Sequence, residues 1–244
     1  MVISSGYYMF RRMMRSYISM SILLLLPIGL ITVLNLIADN TVNDAVGLPV
    51  KDEVAITMMF GFLMFGGFIT MEFIRDDLMS SMRWRMYSLP FQAHKHAYSV
   101  LISSTIFNVL QSSIIVIYTT FVTGVYWGNP GIVLLTIVTV TVVVQFAYIN
   151  FVLAVNHYKS AERLGMAFGL GNIMLAQVWF PMPDGAFFQF VSAYCIPLSL
   201  GQNMLFASIT GNNTGMAVIS FFILAGTAIV LALSAAFLGR RKFL

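Results

Sequence analysis

The side chains with chemical potential gather in one stretch, "IRDDLMSSMRWRMYSLPFQAHKHAY", which runs from Ile74 to Tyr98 between two long apolar runs. It holds Arg75, Asp76, Asp77, Arg83, Arg85 and Lys95 with Trp84, Tyr87 and two histidines. His94 and His96 stand two apart, so they point to opposite sides of a strand and well apart on a helix, which makes them a poor pair of metal ligands. Leu78, Met82, Arg85 and Met86 share one side of a short helix, with Arg83, Trp84 and Tyr87 beside them, until Pro90 stops it. Exposed Met, Trp, Tyr and Arg in one place are what protein interfaces favour. A helix lying among lipid headgroups would use the same residues, and composition alone does not separate the two.

Other chemistry is not signalled. There is no phosphate-binding Gly-x-x-x-x-Gly-Lys-Ser/Thr loop, no His-Glu-x-x-His and no Gly-x-Ser-x-Gly. Cys195 is alone in the sequence, which excludes an internal disulfide, and its apolar surroundings predict a buried, inert thiol. No catalytic residue, bound cofactor or metal is expected in this chain.

The elements that must carry the polar stretch are set by composition. Hydrophobic residues are 59% of the 244 and charged ones 9%, against the quarter usual in soluble domains, so the chain is read as an integral membrane protein. A hydrocarbon core of roughly 30 Å needs about 20 helical residues per crossing. Six stretches meet or approach that length: 17–38, 54–74, 98–127, 131–156, 164–180 and 216–238, the fifth being the shortest. Residues 1–244 then form one all-α polytopic domain, in which residues 75–97 are the longest polar connection. That leaves no room for a soluble catalytic domain. The first run follows Arg11, Arg12 and Arg15 but is too long for a signal peptide, so it is read as a retained span.

Basic residues set the orientation. With both ends in the cytoplasm, Arg11, Arg12, Arg15, Arg75, Arg83, Arg85, Lys95, Lys159, Arg163, Arg240, Arg241 and Lys242 fall inside, twelve of the 13 Lys and Arg, and only Lys51 falls outside. The net charge of +4 is thus accounted for by topology, and no nucleic-acid partner is inferred from it. "YYMFRRMMRSYISM" in the first sixteen residues and just beyond suits a helix lying at the inner interface, or an ordinary basic flank to the first span.

Two further features bear on transport. The second span, "VAITMMFGFLMFGGFITMEFI", combines Gly61, Gly66 and Gly67 with Phe62 and Phe65, residues suited to helix packing or to lining a route for an apolar cargo. On the fifth span Gly165, Gly169, Asn172 and Ala176 recur at helical spacing, a small-residue stripe for close packing against a helix of this chain or of a second copy. Ionisable groups lie only in loops or at span ends, so coupling to an ion gradient has no support, and buried amides such as Asn35, Asn108, Gln111, Gln145, Asn150 and Gln177 read as interhelical glue. Between spans five and six, residues 182–206 are too apolar for an exposed loop yet interrupted by Gly185, Pro197 and Gly201. They are read as one or two short re-entrant helices at the outer surface.

Acidic and basic residues, the small polar pair Ser80–Ser81, a short helix and Ser88-Leu89-Pro90 directly before a long third span resemble the permease subunits of type-2 ABC transporters, which carry a "Gly-Thr…Leu-x-x-x-Pro" stretch there. The likeness extends to an amino-terminal interface helix, six spans with both ends cytoplasmic, and a broken external segment with "CIPLSLGQNMLF" in place of that family's Asn-Pro region, Ile196 replacing the Asn. The resemblance implies a multi-pass plasma-membrane protein, read as bacterial. It also implies a second permease chain, identical or not, and a separate ATPase subunit that binds ATP and Mg and docks on Leu78, Met82, Arg83, Trp84, Arg85, Met86 and Tyr87. Phe62, Phe65, Gly165, Gly169, Asn172 and Ala176 would then line the path or the chain–chain interface. Short external loops and the Phe/Met-rich second span point to export of an amphiphilic cargo, a drug, lipid or antimicrobial peptide. An ion-coupled carrier and a membrane-embedded enzyme are the alternatives.

Overall fold

The computed structural model describes residues 2–37, 41–43, 46–79, 93–155, 157–178 and 185–243. About 88% of the described residues are helical, consistent with an all-α polytopic protein. Helix α1 is Val2–Arg15 and α2 is Tyr17–Ile37, separated at Ser16. A two-residue antiparallel ladder, β1 Val42–Asn43 with β2 Leu48–Pro49, pairs Val42 with Pro49 and Asn43 with Leu48. Then follow α3 Val50–Ile74 with a π turn at Arg75–Met79, α4 Ala93–Tyr118 with a π turn at Thr119–Thr123, α5 Pro130–Ala154, α6 Tyr158–Leu175, α7 Ala186–Cys195, α8 Pro197–Thr210 and α9 Thr214–Phe243.

Five of these, α2, α3, α4, α5 and α9, are long and apolar enough to cross a membrane, and α7 with α8 would count as a sixth if that bent pair is one crossing. The sequence places the fifth span at 164–180, whereas the helix there begins at Tyr158 and ends at Leu175. Its first turns carry Lys159, Glu162 and Arg163, which shortens the apolar part, and Gln177 turns into left-handed backbone at φ 57°. Within the segment read as re-entrant over 182–206, the described residues form two helices, α7 and α8, which meet at 77° across Ile196, and α8 runs on to Thr210.

Local chemistry explains the ends. Asn129 caps α5 by accepting from the Gly131 N–H at 2.9 Å, with Pro130 at the first helical position where its missing N–H costs nothing. Gly211 closes α8 in left-handed backbone at φ 71°, its N–H donating to the Ala207 carbonyl at 3.0 Å.

The middle of the bundle is α3 and α5, each 61% buried over its apolar window, while α2 and α9 are 17% and 11% buried and form the rim. Helix α9 lies along α5 and α8, α3 contacts α2, α4 and α5, and α1 packs along α4. Two ends of the bundle can be told apart. At one, Arg12 of α1 meets Asp77 after α3, and Gly239 near the end of α9 comes against Leu153 at the end of α5. This is the basic end, and both the first and the last helix close there. At the other, the Tyr126 N–H donates to Asp52, and Gly47 and Gly128 approach Thr210 and Ile209 at the close of α8.

The depth of each element follows from its contacts. Val178, just past α6, touches Gly61 of α3, and Gly201 of α8 packs on Phe60 of α3 and Val140 of α5. Helix α6 therefore climbs from the basic end to about the level of Gly61. Helix α8 continues from that level to the opposite end.

Cys195 departs from its sequence reading. The thiol is exposed, because α7 buries none of its side chains.

Candidate functional site

The polar stretch leaves the bundle at the end of α3, and there the described residues build a charged collar. The Arg12 guanidinium meets the Asp77 carboxylate at 2.5 Å and lies over the Phe73 ring, 5.4 Å from its centre. Asp77 is nearly buried while Arg12 is about half exposed, so the pair sits on the boundary where a charged hydrogen bond is stronger than at a free surface. Arg75 donates from Nε to Asp76 at 2.8 Å and from an Nη to Glu72 at 3.3 Å. Its guanidinium also rests 4.9 Å above the Tyr158 ring of α6. Burial pushes the Tyr158 phenol above its ordinary pKa, with the Arg75 charge opposing, so the ring stays neutral beneath the cation. One short turn thus fastens three helices, α1 through Arg12, α3 through Glu72 and α6 through Tyr158.

Of the residues assigned to docking, Leu78 lies in the π turn that carries Asp77. Met82, Arg83, Trp84, Arg85, Met86 and Tyr87 fall in 80–92, outside the described residues.

The small-residue stripe has a definite occupant. Gly165, Gly169, Asn172 and Ala176 are all buried, and Gly165 and Gly169 face α3 and α5 of the same chain. Tyr148 of α5 fills the space. A Cβ at Gly165 would lie 3.0 Å from its ring and one at Gly169 2.8 Å from its hydroxyl, while one at Gly67 of α3 would overlap the ring outright. The Tyr148 hydroxyl donates to the Gly165 carbonyl at 3.3 Å. Glycines from two helices therefore make a slot for one aromatic side chain. Close packing here is met within the chain.

Phe62 and Phe65 are half-buried and begin a run of ring contacts. Phe62–Phe65, Phe65–Phe68 and Phe68–Tyr148 have centres 6.0, 6.4 and 5.0 Å apart, and Tyr148 then meets Phe151 and Phe168 at 6.0 and 5.8 Å. Phe62, Phe65 and Phe68 sit three apart, which stacks them along one helix face.

Several buried amides do act between helices. Gln111 Nε2 donates to the Leu23 carbonyl of α2 at 2.8 Å, and Asn150 Nδ2 to the Leu231 carbonyl of α9 at 2.9 Å. Gln145 Oε1 accepts from Thr70 of α3 and, at 3.4 Å, from Ser104 of α4. Asn108 instead fills the space above Gly66, where any Cβ would overlap its amide. Asn172 bonds only its own helix, to the Phe168 carbonyl at 2.7 Å, and Gln177 is exposed.

Sequence reading missed Arg12 with Asp77 and Tyr148 as organising residues. Nothing local marks a pair 65 positions apart. Tyr148 had a faint signal, as the single tyrosine of its span with glycines available on two others. No group of three His, Cys, Asp or Glu side chains that could hold a metal occurs among the described residues. No family model matches the chain, and no curated protein or solved structure matches it either.

Proposed function

We propose that this chain is the membrane-spanning subunit of an ATP-driven exporter of the type-2 ABC kind, working with a separate ATPase subunit that binds ATP and Mg and with a second permease chain. Its cargo would be amphiphilic, a drug, lipid or antimicrobial peptide. The observation that carries the reading is the collar. The Trp-, Met- and Arg-rich segment 80–92 follows in sequence the turn Arg75–Met79, which is tied to α1 by Arg12 on Asp77 and to α6 by Arg75 on Tyr158. A push on that segment would move three helices together rather than bend a loose loop. This is the mechanical need of a chain that takes its energy from a partner.

Other features are in keeping. Both terminal helices close at the basic end, which the distribution of Lys and Arg assigns to the cytoplasm. Helices α7 and α8, bent by 77°, would serve as the external re-entrant pair of such a permease. The test is purification in a mild detergent followed by identification of any attached soluble protein. A Walker-motif ATPase whose hydrolysis drives cargo movement in vesicles is expected. Transport in vesicles on an ion gradient alone, with no ATPase present, would overturn the proposal, and so would turnover of a lipid by the purified chain without ATP.

A further inference from the structure

The outer side of α1 carries a ladder of residues that the collar does not use. Its inner side is committed to α4: Met9 and Met13 are buried, and the Ser103 hydroxyl donates to the Gly6 carbonyl at 2.8 Å. The other side bares Tyr7, Tyr8, Arg11, Met14 and Arg15, the tyrosines 64% and 68% exposed with their rings edge to face at 5.8 Å. Tyr7, Arg11 and Arg15 stand four apart, which sets neighbouring Cβ atoms about 6 Å from one another on one stripe. Two guanidiniums at that spacing can share the oxygens of one phosphodiester.

No ion pair joins Arg11 or Arg15 to a carboxylate among the described residues. Asp77 is held by Arg12, Asp76 and Glu72 by Arg75, and Glu162 acts on Tyr158 of its own helix α6. Helix α1 packs on α4 and α2, neither of which contains an Asp or Glu. The ladder also ends where an apolar surface begins. Past Ser16, α2 bares Ile22, Leu25 and Leu26, and Met14 is 52% exposed beside the arginines.

We propose that this stripe binds the phosphate of an anionic phospholipid, with Arg11 and Arg15 on the phosphodiester, Tyr7 and Tyr8 at headgroup level and the acyl chains along α2. Charge selects a phosphate over a neutral surface, and the apolar continuation selects a lipid over a soluble anion. This goes beyond the transport reading and does not depend on it, since α1 belongs to the chain itself.

Native mass spectrometry of the purified chain with added phosphatidylglycerol or phosphatidylcholine tests it, with no ATPase present. Phosphatidylglycerol should be retained preferentially. Arg11→Gln with Arg15→Gln should weaken that retention about thirtyfold, at about 1 kcal/mol per arginine near an anionic surface, and leave phosphatidylcholine unchanged. Arg240→Gln with Arg241→Gln, which removes equal charge at the same end of the bundle without the tyrosines, should have a much smaller effect. Equal losses from the two double variants would overturn the site in favour of diffuse charge. Equal retention of the two lipids would overturn it as well, as would an Arg11→Gln/Arg15→Gln chain that keeps its lipid and loses a soluble partner instead.

Discussion

Arg12 and Asp77 stand 65 positions apart in the chain and 2.5 Å apart in space, and that contact fastens the first helix to the turn from which the polar segment departs. A charged hydrogen bond on a nearly buried carboxylate contributes about 1.5–3 kcal/mol, more than the ~0–1 kcal/mol of an exposed ion pair. The half-exposed arginine places this one toward the lower of those two ranges.

Breaking it should free α1 without unfolding the bundle. Arg12→Asp is expected to raise protease cleavage between α1 and α2 in detergent, and Arg12→Asp with Asp77→Arg to restore much of the protection. Unchanged cleavage in the single variant would show that packing on α4 alone holds α1.

The slot around Tyr148 predicts a non-additive pair. Gly169→Ala places a methyl 2.8 Å from the Tyr148 hydroxyl and should cost about 1–3 kcal/mol by overpacking. Tyr148→Phe alone loses one long hydrogen bond, about 0.5–1.5 kcal/mol. With the hydroxyl gone, Gly169→Ala should be tolerated far better. A double-mutant cycle on thermal unfolding in micelles should show the two effects falling short of their sum, and simple additivity would refute the slot.

Asn150 makes a sharper case because its two ends differ. Its Nδ2 joins α5 to α9 at the Leu231 carbonyl, while Oδ1 is buried with no hydrogen-bond partner. An interhelical bond in a membrane protein averages about 0.6 kcal/mol, and a buried unsatisfied acceptor costs about 1–3 kcal/mol. Asn150→Leu is therefore expected to leave the unfolding temperature unchanged or slightly raised. A clear fall would mean that the amide matters more than the balance allows.

The transport proposal makes its own prediction at the docking segment. Arg83→Glu with Arg85→Glu should abolish copurification of the ATPase, or leave it bound but uncoupled from transport, with the chain still expressed and inserted. An ATPase that stays bound with transport unaffected would point to docking elsewhere.

Some of this was legible because it depends on composition and local pattern. The shortage of charge demanded membrane helices, the span placed from residue 131 starts within one residue of α5, and Pro197 marks the break between α7 and α8, whereas Gly201, read as another interruption, lies inside α8. The short fifth helix could not be placed as well, since Lys159, Glu162 and Arg163 look like a loop until they are seen in the first turns of α6. Cys195 read as buried because its neighbours are apolar, whereas α7 as a whole stays outside the bundle.

What the sequence determined by itself was the medium and the elements, because the cost of burying charge and the length of a crossing act on each segment separately. Which helix meets which was decided only by the tertiary structure. A glycine says that something may come close, and only the packed bundle says that the neighbour of Gly67, Gly165 and Gly169 is the one ring of Tyr148. An arginine says that a charge needs an answer, and only the fold brings Asp77 to Arg12. Contacts between distant segments depend on the shapes of all the surfaces at once, so no local rule carries them.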